Sequence, residues 1–397
     1  MRARAMLLAA MALLIGCRGR PRSSPSDPVE ISRVVDSLRP SVERAVGQSF
    51  SETPRSAMVS KEEVRRFIME RMEQEFPPVR RAGVEAAYSL LGLLPDTLNL
   101  DSLLLAIYSE QVAGYYDPQS RTLYGVHGAD PTQLRLILAH ELVHALQHES
   151  LPLDSILVGG GDGDRTAAAQ AVLEGHATLA STAMLSGDPG IVENEEFWNQ
   201  YREQVLAGQQ QMPVFARAPL ILRERLIFPY LAGAEFMRWW KRTRGSPLPS
   251  LEQLPASTEQ VLHPDRYPAD RPGRIEFADS SADVMIEETL GELEIHVLLA
   301  SFIDLVRAAY DAPLGWKADR LRVYQTSGGP ALVWYSLWDG EPQAARFHRN
   351  AQAGFQDIVK PGYRVDVSRV THRGGPGVRV VHAPEGWGGW KSVPRIR

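Results

Sequence analysis

The chain has 397 residues and a formal net charge of −5, with 44% hydrophobic and 23% charged residues. This composition is ordinary for globular proteins that bury a sizeable core, and the length suggests two or three domains. The acidic balance gives no reason to expect a nucleic acid partner, and the sequence has no Gly-rich phosphate loop that would indicate nucleotide chemistry.

The N-terminal segment has the pattern of a secretory signal peptide. Arg2 and Arg4 precede an apolar run over residues 5–15, and the small residue Gly16 follows. The run is about half the roughly 20 residues that a membrane-spanning helix needs, which disfavours a transmembrane segment. We therefore predict a signal peptide over residues 1–16.

The end of this segment, Leu14-Ile15-Gly16-Cys17, resembles the lipobox of bacterial lipoproteins. The resemblance implies cleavage before Cys17 and attachment of lipid to this residue, which is the only cysteine of the chain. The following residues, up to 28, are rich in Pro and Ser and have no apolar side chain to bury, so residues 17–28 are expected to form a lipidated, flexible tether. The expected location is the cell envelope, on the outer membrane facing the periplasm or on the cell surface.

Helical spacing of apolar residues predicts helices through the first two thirds of the chain. They cover residues 29–46, 61–76, 81–94, 101–112, 132–148, 166–185, 195–210 and 223–243. Between the fourth and the fifth of these helices, two short aromatic-rich strands flank a turn at Asp117-Pro118, which predicts a hairpin over residues 114–126.

The pattern changes near residue 280. The predicted elements are a helix over 286–310, two strands within 320–338, a helix over 342–359 and a hairpin within 364–381. We therefore predict an α+β fold with two parts. A mainly helical domain with a small sheet covers residues 29–280, and a smaller α+β domain of unknown role covers residues 281–397.

The helix predicted over residues 132–148 contains an HExxH pattern, from His140 to His144. Positions four apart on a helix differ by about 40° and lie about one turn of 5.4 Å apart, so His140 and His144 present their imidazoles to one point. Glu141 lies beside that point. A hydrolytic zinc site needs this set, because the histidines bind the metal and the carboxylate takes a proton from zinc-bound water. The flanking residues are uncharged, which indicates a buried helix.

A catalytic zinc ion has three protein ligands and one open position, and two residues compete for the third place. On a continuous helix His148 lies about 80° round and about 12 Å along from His140, so the three histidines meet at one metal only if the helix breaks. Glu174 lies in an Ala-rich predicted helix, where a buried carboxylate needs a cation or an arginine. Gly175 beside it allows another helix to approach closely. We predict that His140, His144 and Glu174 bind Zn²⁺, although these ligands also suit other divalent metals.

Several stretches resemble known families. HELVH followed by Glu174-Gly175 is similar to the gluzincin zinc metallopeptidases. AGYYDPQSRTLYG, LVHALQ and STEQVLHPDRY look like a family of largely uncharacterised prokaryotic surface proteins with zincin-like domains. The resemblance covers roughly residues 111–267. It implies a zincin-like fold, zinc on His140, His144 and Glu174, and Glu141 as the base. Many gluzincins carry an acidic residue four positions after the third ligand, which orients a histidine; that position is Thr178 here.

Peptide hydrolysis also needs a surface for the substrate and a donor for the developing oxyanion. In zincins an edge strand pairs with the extended substrate, and residues 123–126 are expected to form that strand. His263 is the first candidate for the donor, with Tyr267 and Tyr230 as alternatives. The sequence predicts a lipid-anchored zinc metallopeptidase acting on peptides or proteins. The alternative is a zincin-fold envelope lipoprotein with little or no catalysis, acting as a binding or assembly module.

Overall fold

The computed structural model describes residues 28–158, 162–302 and 313–397. The predicted signal peptide, Cys17 and nearly all of the tether lie outside these residues. In the described part of the chain, no helix combines the length and apolar character needed to cross a bilayer. The fold is α+β, with a mainly helical N-terminal part and two small sheets, as the sequence predicts.

The N-terminal part begins with helices around a three-stranded sheet. The elements are α1 (Pro28–Val46), β1 (Arg55–Val59), α2 (Lys61–Glu75), α3 (Pro78–Leu90), α4 (Leu100–Gln111), β2 (Gly114–Asp117), β3 (Thr122–Val126) and α5 (Pro131–Ser150). Ser60 starts α2 with a capping box, in which its side chain accepts from the Glu63 amide and the Glu63 carboxylate accepts from the Ser60 amide. The next helix begins at Pro78, earlier than predicted, because proline is tolerated in the first helical turn.

The expected position of the substrate-binding edge strand is wrong. The strand order is β1-β3-β2, so residues 123–126 form the central strand of the sheet. The strand β1 was not predicted. It pairs in parallel with β3, whereas β2 pairs with β3 antiparallel. The edge strand next to α5 is therefore β2, and all four of its residues are buried.

A second group of helices follows α5 in the chain. The helices are α6 (Leu153–Val158), α7 (Gly163–Ser186), α8 (Glu195–Gln210), α9 (Pro213–Arg217), α10 (Leu220–Arg244) and α11 (Thr258–Leu262). The crossing of α7 and α10 is very close at Gly175 and Gly233. A Cβ atom on Gly175 would lie 2.2 Å from the carbonyl carbon of Gly233, and one on Gly233 would lie 2.0 Å from the oxygen of Ala171. This confirms that Gly175 admits the backbone of another helix.

In its described residues, the C-terminal part contains a five-stranded antiparallel sheet and two α-helices. The elements are β4 (Val284–Glu288), α12 (Gly291–Phe302), β5 (Trp316–Tyr324), β6 (Ala331–Trp338), α13 (Glu341–Asp357), β7 (Tyr363–His372) and β8 (Gly375–Pro384). The strand order is β4-β5-β6-β8-β7. The helix predicted over 286–310 is wrong at its start, because residues 284–288 form a strand and α12 begins only at Gly291. The end of that prediction, residues 303–310, lies outside the described residues.

The two parts of the fold share one hydrophobic core. Leu90 of α3 and Tyr230 of α10 belong to the same buried cluster as Ile286 of β4 and Leu298 of α12. A separate cluster joins α1, the small sheet, α5 and α7, and includes Leu138, the residue two positions before the HExxH pattern. Apolar contacts alone therefore pack the helix that carries the two histidines on several sides.

Candidate metal centre

The three predicted metal ligands come together between α5 and α7. His140 and His144 project from α5, and both ring Nε2 atoms face Glu174 Oε2 on α7, at 3.0 Å and 3.3 Å. The two Nε2 atoms are 3.1 Å apart. Donor atoms bound at about 2.0–2.2 Å to a tetrahedral ion are about 3.3–3.6 Å from one another, so the three atoms lie close to the spacing that a small cation needs. The buried cluster of His140, His144 and Glu174 can hold a metal ion.

The burial of this cluster is nearly complete. His144 and Glu174 have exposed fractions of 0% and 1%, and His140 retains 8%. Glu174 Oε1 is buried and has no hydrogen-bond partner. The ion-pair partners found for Glu174 are the two histidines, and not the arginine that the sequence left open. A buried carboxylate with one oxygen left over indicates a site for a cation.

The pKa values of Glu174 and His144 show that the charges of the cluster are coupled. Burial favours the neutral form of Glu174, but attraction to His144 and hydrogen bonds from both histidines outweigh burial and lower the pKa to about 2. Burial also opposes the charge on His144, but the attraction of Glu174 prevails and raises its pKa to about 9. Metal ligands must be deprotonated, so a metal that binds at neutral pH displaces a proton from His144.

Glu141, the predicted base, lies within the same buried region. Its exposed fraction is 0%, and its Oε2 atom accepts a hydrogen bond of 2.8 Å from the backbone N–H of Tyr116 in β2. Tyr116 belongs to the edge strand β2, so this hydrogen bond links the Glu141 carboxylate on α5 to β2. A side chain of α5 thus accepts the hydrogen bond that the backbone N–H of Tyr116 directs away from the sheet.

His148 does not join the metal cluster, because α5 remains a continuous helix as far as Ser150. The His148 ring instead lies edge-on to Tyr116, with 3.2 Å between its Nδ1 atom and the phenol oxygen. The sequence preference for Glu174 over His148 agrees with the group that the structure assembles.

The three candidate oxyanion donors occupy different places. His263 Nε2 is 3.0 Å from Glu292 Oε1, and the Tyr267 hydroxyl donates to the carbonyl of Gln253 at 2.7 Å. Neither contact leads to the metal cluster. Tyr230, by contrast, lies beside His140, with 6.1 Å between the ring centroids. It is one turn of α10 before Gly233, so the close helix crossing brings it there. The structure therefore gives His263 another partner and places the ring of Tyr230, of the three candidates, beside a residue of the cluster.

Sequence reasoning missed Gln147. This residue lies one turn after His144, and its Oε1 atom is 2.8 Å from His144 Nδ1. Its amide nitrogen is 2.8 Å from the carbonyl of Leu173 and 3.0 Å from His176 Nδ1, both on α7. The sequence did contain a signal for this contact. Gln147 follows His144 by three positions, which places both side chains on the same face of α5.

Comparison with known proteins adds one family match. The family model described as Domain of unknown function (DUF8575) matches residues 282–388. This stretch begins just before β4 and includes the five-stranded sheet, and it contains none of the residues of the metal centre. No curated protein and no solved structure matches the chain.

Proposed function

We propose that this protein is a zinc-dependent metallopeptidase held at the cell envelope by lipid on Cys17. The observation that supports this function best is the buried cluster of His140, His144 and Glu174 with Glu141 beside it. Structural zinc sites have four protein ligands, whereas catalytic sites have three and leave one position open. Among the described residues, the cluster contains three such side chains.

Each residue of the centre has a chemical role in this proposal. A bound zinc ion would polarise the scissile carbonyl and lower the pKa of a coordinated water toward about 7. Glu141 accepts a proton from the attacking water on its carboxylate and delivers it to the leaving amine nitrogen. The backbone N–H of Tyr116 holds this carboxylate in place. The Tyr230 hydroxyl donates a hydrogen bond to the carbonyl oxygen as negative charge develops there.

A second candidate function rests on the burial of the same residues. Glu141 is fully buried, and β2, which would receive the substrate backbone, is covered. A peptide can pair with β2 only if β2 and α5 separate locally. If β2 and α5 stay together, a bound metal stabilises the fold, and the protein acts as a binding or assembly module at the envelope.

Zinc content and proteolysis of the full-length chain, measured together, distinguish these functions. We expect one zinc per wild-type chain and cleavage of a fluorogenic peptide library. Glu141→Gln should keep its zinc and lose about 10²–10⁴-fold in rate, because only proton transfer is removed. Glu174→Ala should lose zinc. Absence of zinc in the wild type would refute the metal centre, and zinc without any cleavage would select the binding module.

A further inference from the structure

One side chain connects the two helices that carry the metal ligands. Gln147 is 1% exposed, and its amide group lies between His144 on α5 and both Leu173 and His176 on α7. Leu173 directly precedes Glu174 in the chain. The hydrogen bonds of Gln147 therefore reach one ligand, His144, directly, and reach the third ligand through its neighbouring peptide group.

The hydrogen-bond pattern defines which atom of Gln147 faces which partner. The Leu173 carbonyl only accepts, so the group 2.8 Å from it must be the amide NH₂. The amide oxygen then faces His144 Nδ1, which must carry a proton to donate to it. The second amide hydrogen points to His176 Nδ1, which accepts. With its proton on Nδ1, neutral His144 has its Nε2 lone pair directed at the metal position.

We infer that Gln147 is a positioning residue of the metal centre, which orients His144 and sets the register of α7, and with it Glu174, against α5. This inference rests on the metal site of the proposed function. It assigns to Gln147 the task that an acidic residue four positions after the third ligand performs in many gluzincins. Thr178 occupies that position here; it is buried, and it has a hydroxyl in place of a carboxylate.

The test compares Gln147→Leu with Thr178→Val in the full-length chain. Gln147→Leu keeps a side chain of similar size and removes all three hydrogen bonds, whereas Thr178→Val removes only the hydroxyl. Zinc affinity is measured by competition with a chromophoric chelator. The visible absorption of the Co²⁺-loaded protein reports the ligand geometry. We expect Gln147→Leu to bind zinc about 10–100-fold more weakly and to change the Co²⁺ spectrum. Thr178→Val should match the wild type in both measurements.

Gln147→Glu is the second variant, which separates the two tasks of the side chain. A carboxylate still accepts from His144 Nδ1–H but cannot donate to Leu173, so its zinc affinity should lie between those of the wild type and Gln147→Leu. If Gln147→Leu does not fold, Gln147→Glu serves as the test in its place. Wild-type zinc affinity and a wild-type Co²⁺ spectrum in Gln147→Glu would then show that the hydrogen bond to Leu173 does not set the register of α7 against α5.

The outcomes separate the two levels of inference. A wild-type chain that binds neither Zn²⁺ nor Co²⁺ refutes the proposed metal centre and this inference with it. A wild-type chain that binds zinc, together with a folded Gln147→Leu of equal affinity and identical spectrum, overturns the positioning role alone. Weaker binding in Thr178→Val than in Gln147→Leu would transfer that role to Thr178.

Discussion

Gly175→Ala tests the contact that brings the third ligand to the two histidines. A Cβ atom at Gly175 would lie 2.2 Å from the carbonyl carbon and oxygen of Gly233 and 2.7 Å from the amide nitrogen of Ala234. Carbon atoms in ordinary contact are about 3.5–4.0 Å apart, so α7 and α10 would have to separate by more than about 1 Å. The atoms in the way belong to the backbone of a helix, and no side-chain rotation relieves the overlap.

The expected cost has two opposing contributions. Overpacking of a buried position typically destabilises by about 1–3 kcal/mol, and the upper part of that range applies because both sides of the clash are main chain. Alanine is favoured over glycine inside a helix by about 1 kcal/mol, which offsets part of the loss. We expect a net decrease of about 2 kcal/mol in the free energy of unfolding. Glu174 moves with α7, so zinc affinity should fall by about tenfold or more.

Urea unfolding and zinc competition measure the two effects on the same protein. Gly386→Ala is the matched control, because a Cβ atom there meets no heavy atom within 4 Å. It should leave both quantities at their wild-type values. A folded Gly175→Ala chain with unchanged stability and unchanged zinc affinity would refute the close helix crossing and its role in placing Glu174.

Four further predictions concern single residues. Tyr230→Phe should keep its zinc and lose about 10²–10³-fold in peptidase rate, and an unchanged rate would remove Tyr230 as the oxyanion donor. Asp319→Ala should lower the free energy of unfolding by at least about 3 kcal/mol, because four buried N–H groups lose their acceptor; a smaller loss in urea unfolding would contradict this. Burial raises the pKa of Glu259 to about 9 from its ordinary value of 4.5, so the fold is more stable when this carboxyl is protonated than when it is ionised. That contribution is complete below pH 4.5 and is lost as the pH rises through 9, and Glu259→Gln should remove a decline of at most about 1.4 kcal/mol per pH unit. Cys17→Ser should shift the chain from the membrane to the soluble fraction of cells, and wild-type fractionation would exclude the lipid anchor.

The fold was predictable where local chemistry decides it. Ser60 and Glu63, three residues apart, form a capping box at the start of a predicted helix, and the predicted hairpin follows from its turn residues. The strand β4 was missed because residues 284–302 are apolar enough to suit a helix throughout. Gly291 separates the strand from the helix. Its φ is +72°, and a Cβ atom at this position would lie 1.8 Å from the carboxylate of Asp164. A contact with a residue so distant in sequence leaves no local signal.

The residues of the metal centre were likewise predictable only where local sequence determines their positions. The HExxH spacing placed His140 and His144, since one helix holds both, and burial of an Ala-rich helix indicated Glu174. The partners of these residues depend on how separate helices pack. Gln147 meets Leu173, which lies 26 residues further along the chain, and Tyr230 reaches His140 only because α10 crosses α7 closely. Neither contact has a sequence spacing that would have identified it.

The side chains of the centre have an imbalance among their polar contacts that a bound cation would remove. Both Nε2 atoms converge on one oxygen of Glu174, while its other oxygen is buried without a partner. When both Nε2 atoms donate to Glu174, their two N–H groups face each other across 3.1 Å, so one contact of the cluster is unfavourable. A cation between them contacts all three, and its binding free energy adds to the stability of the folded chain because the unfolded chain has no such site. The crossing at Gly175 and the hydrogen bonds of Gln147 hold the donors in a geometry that suits a metal better than a proton.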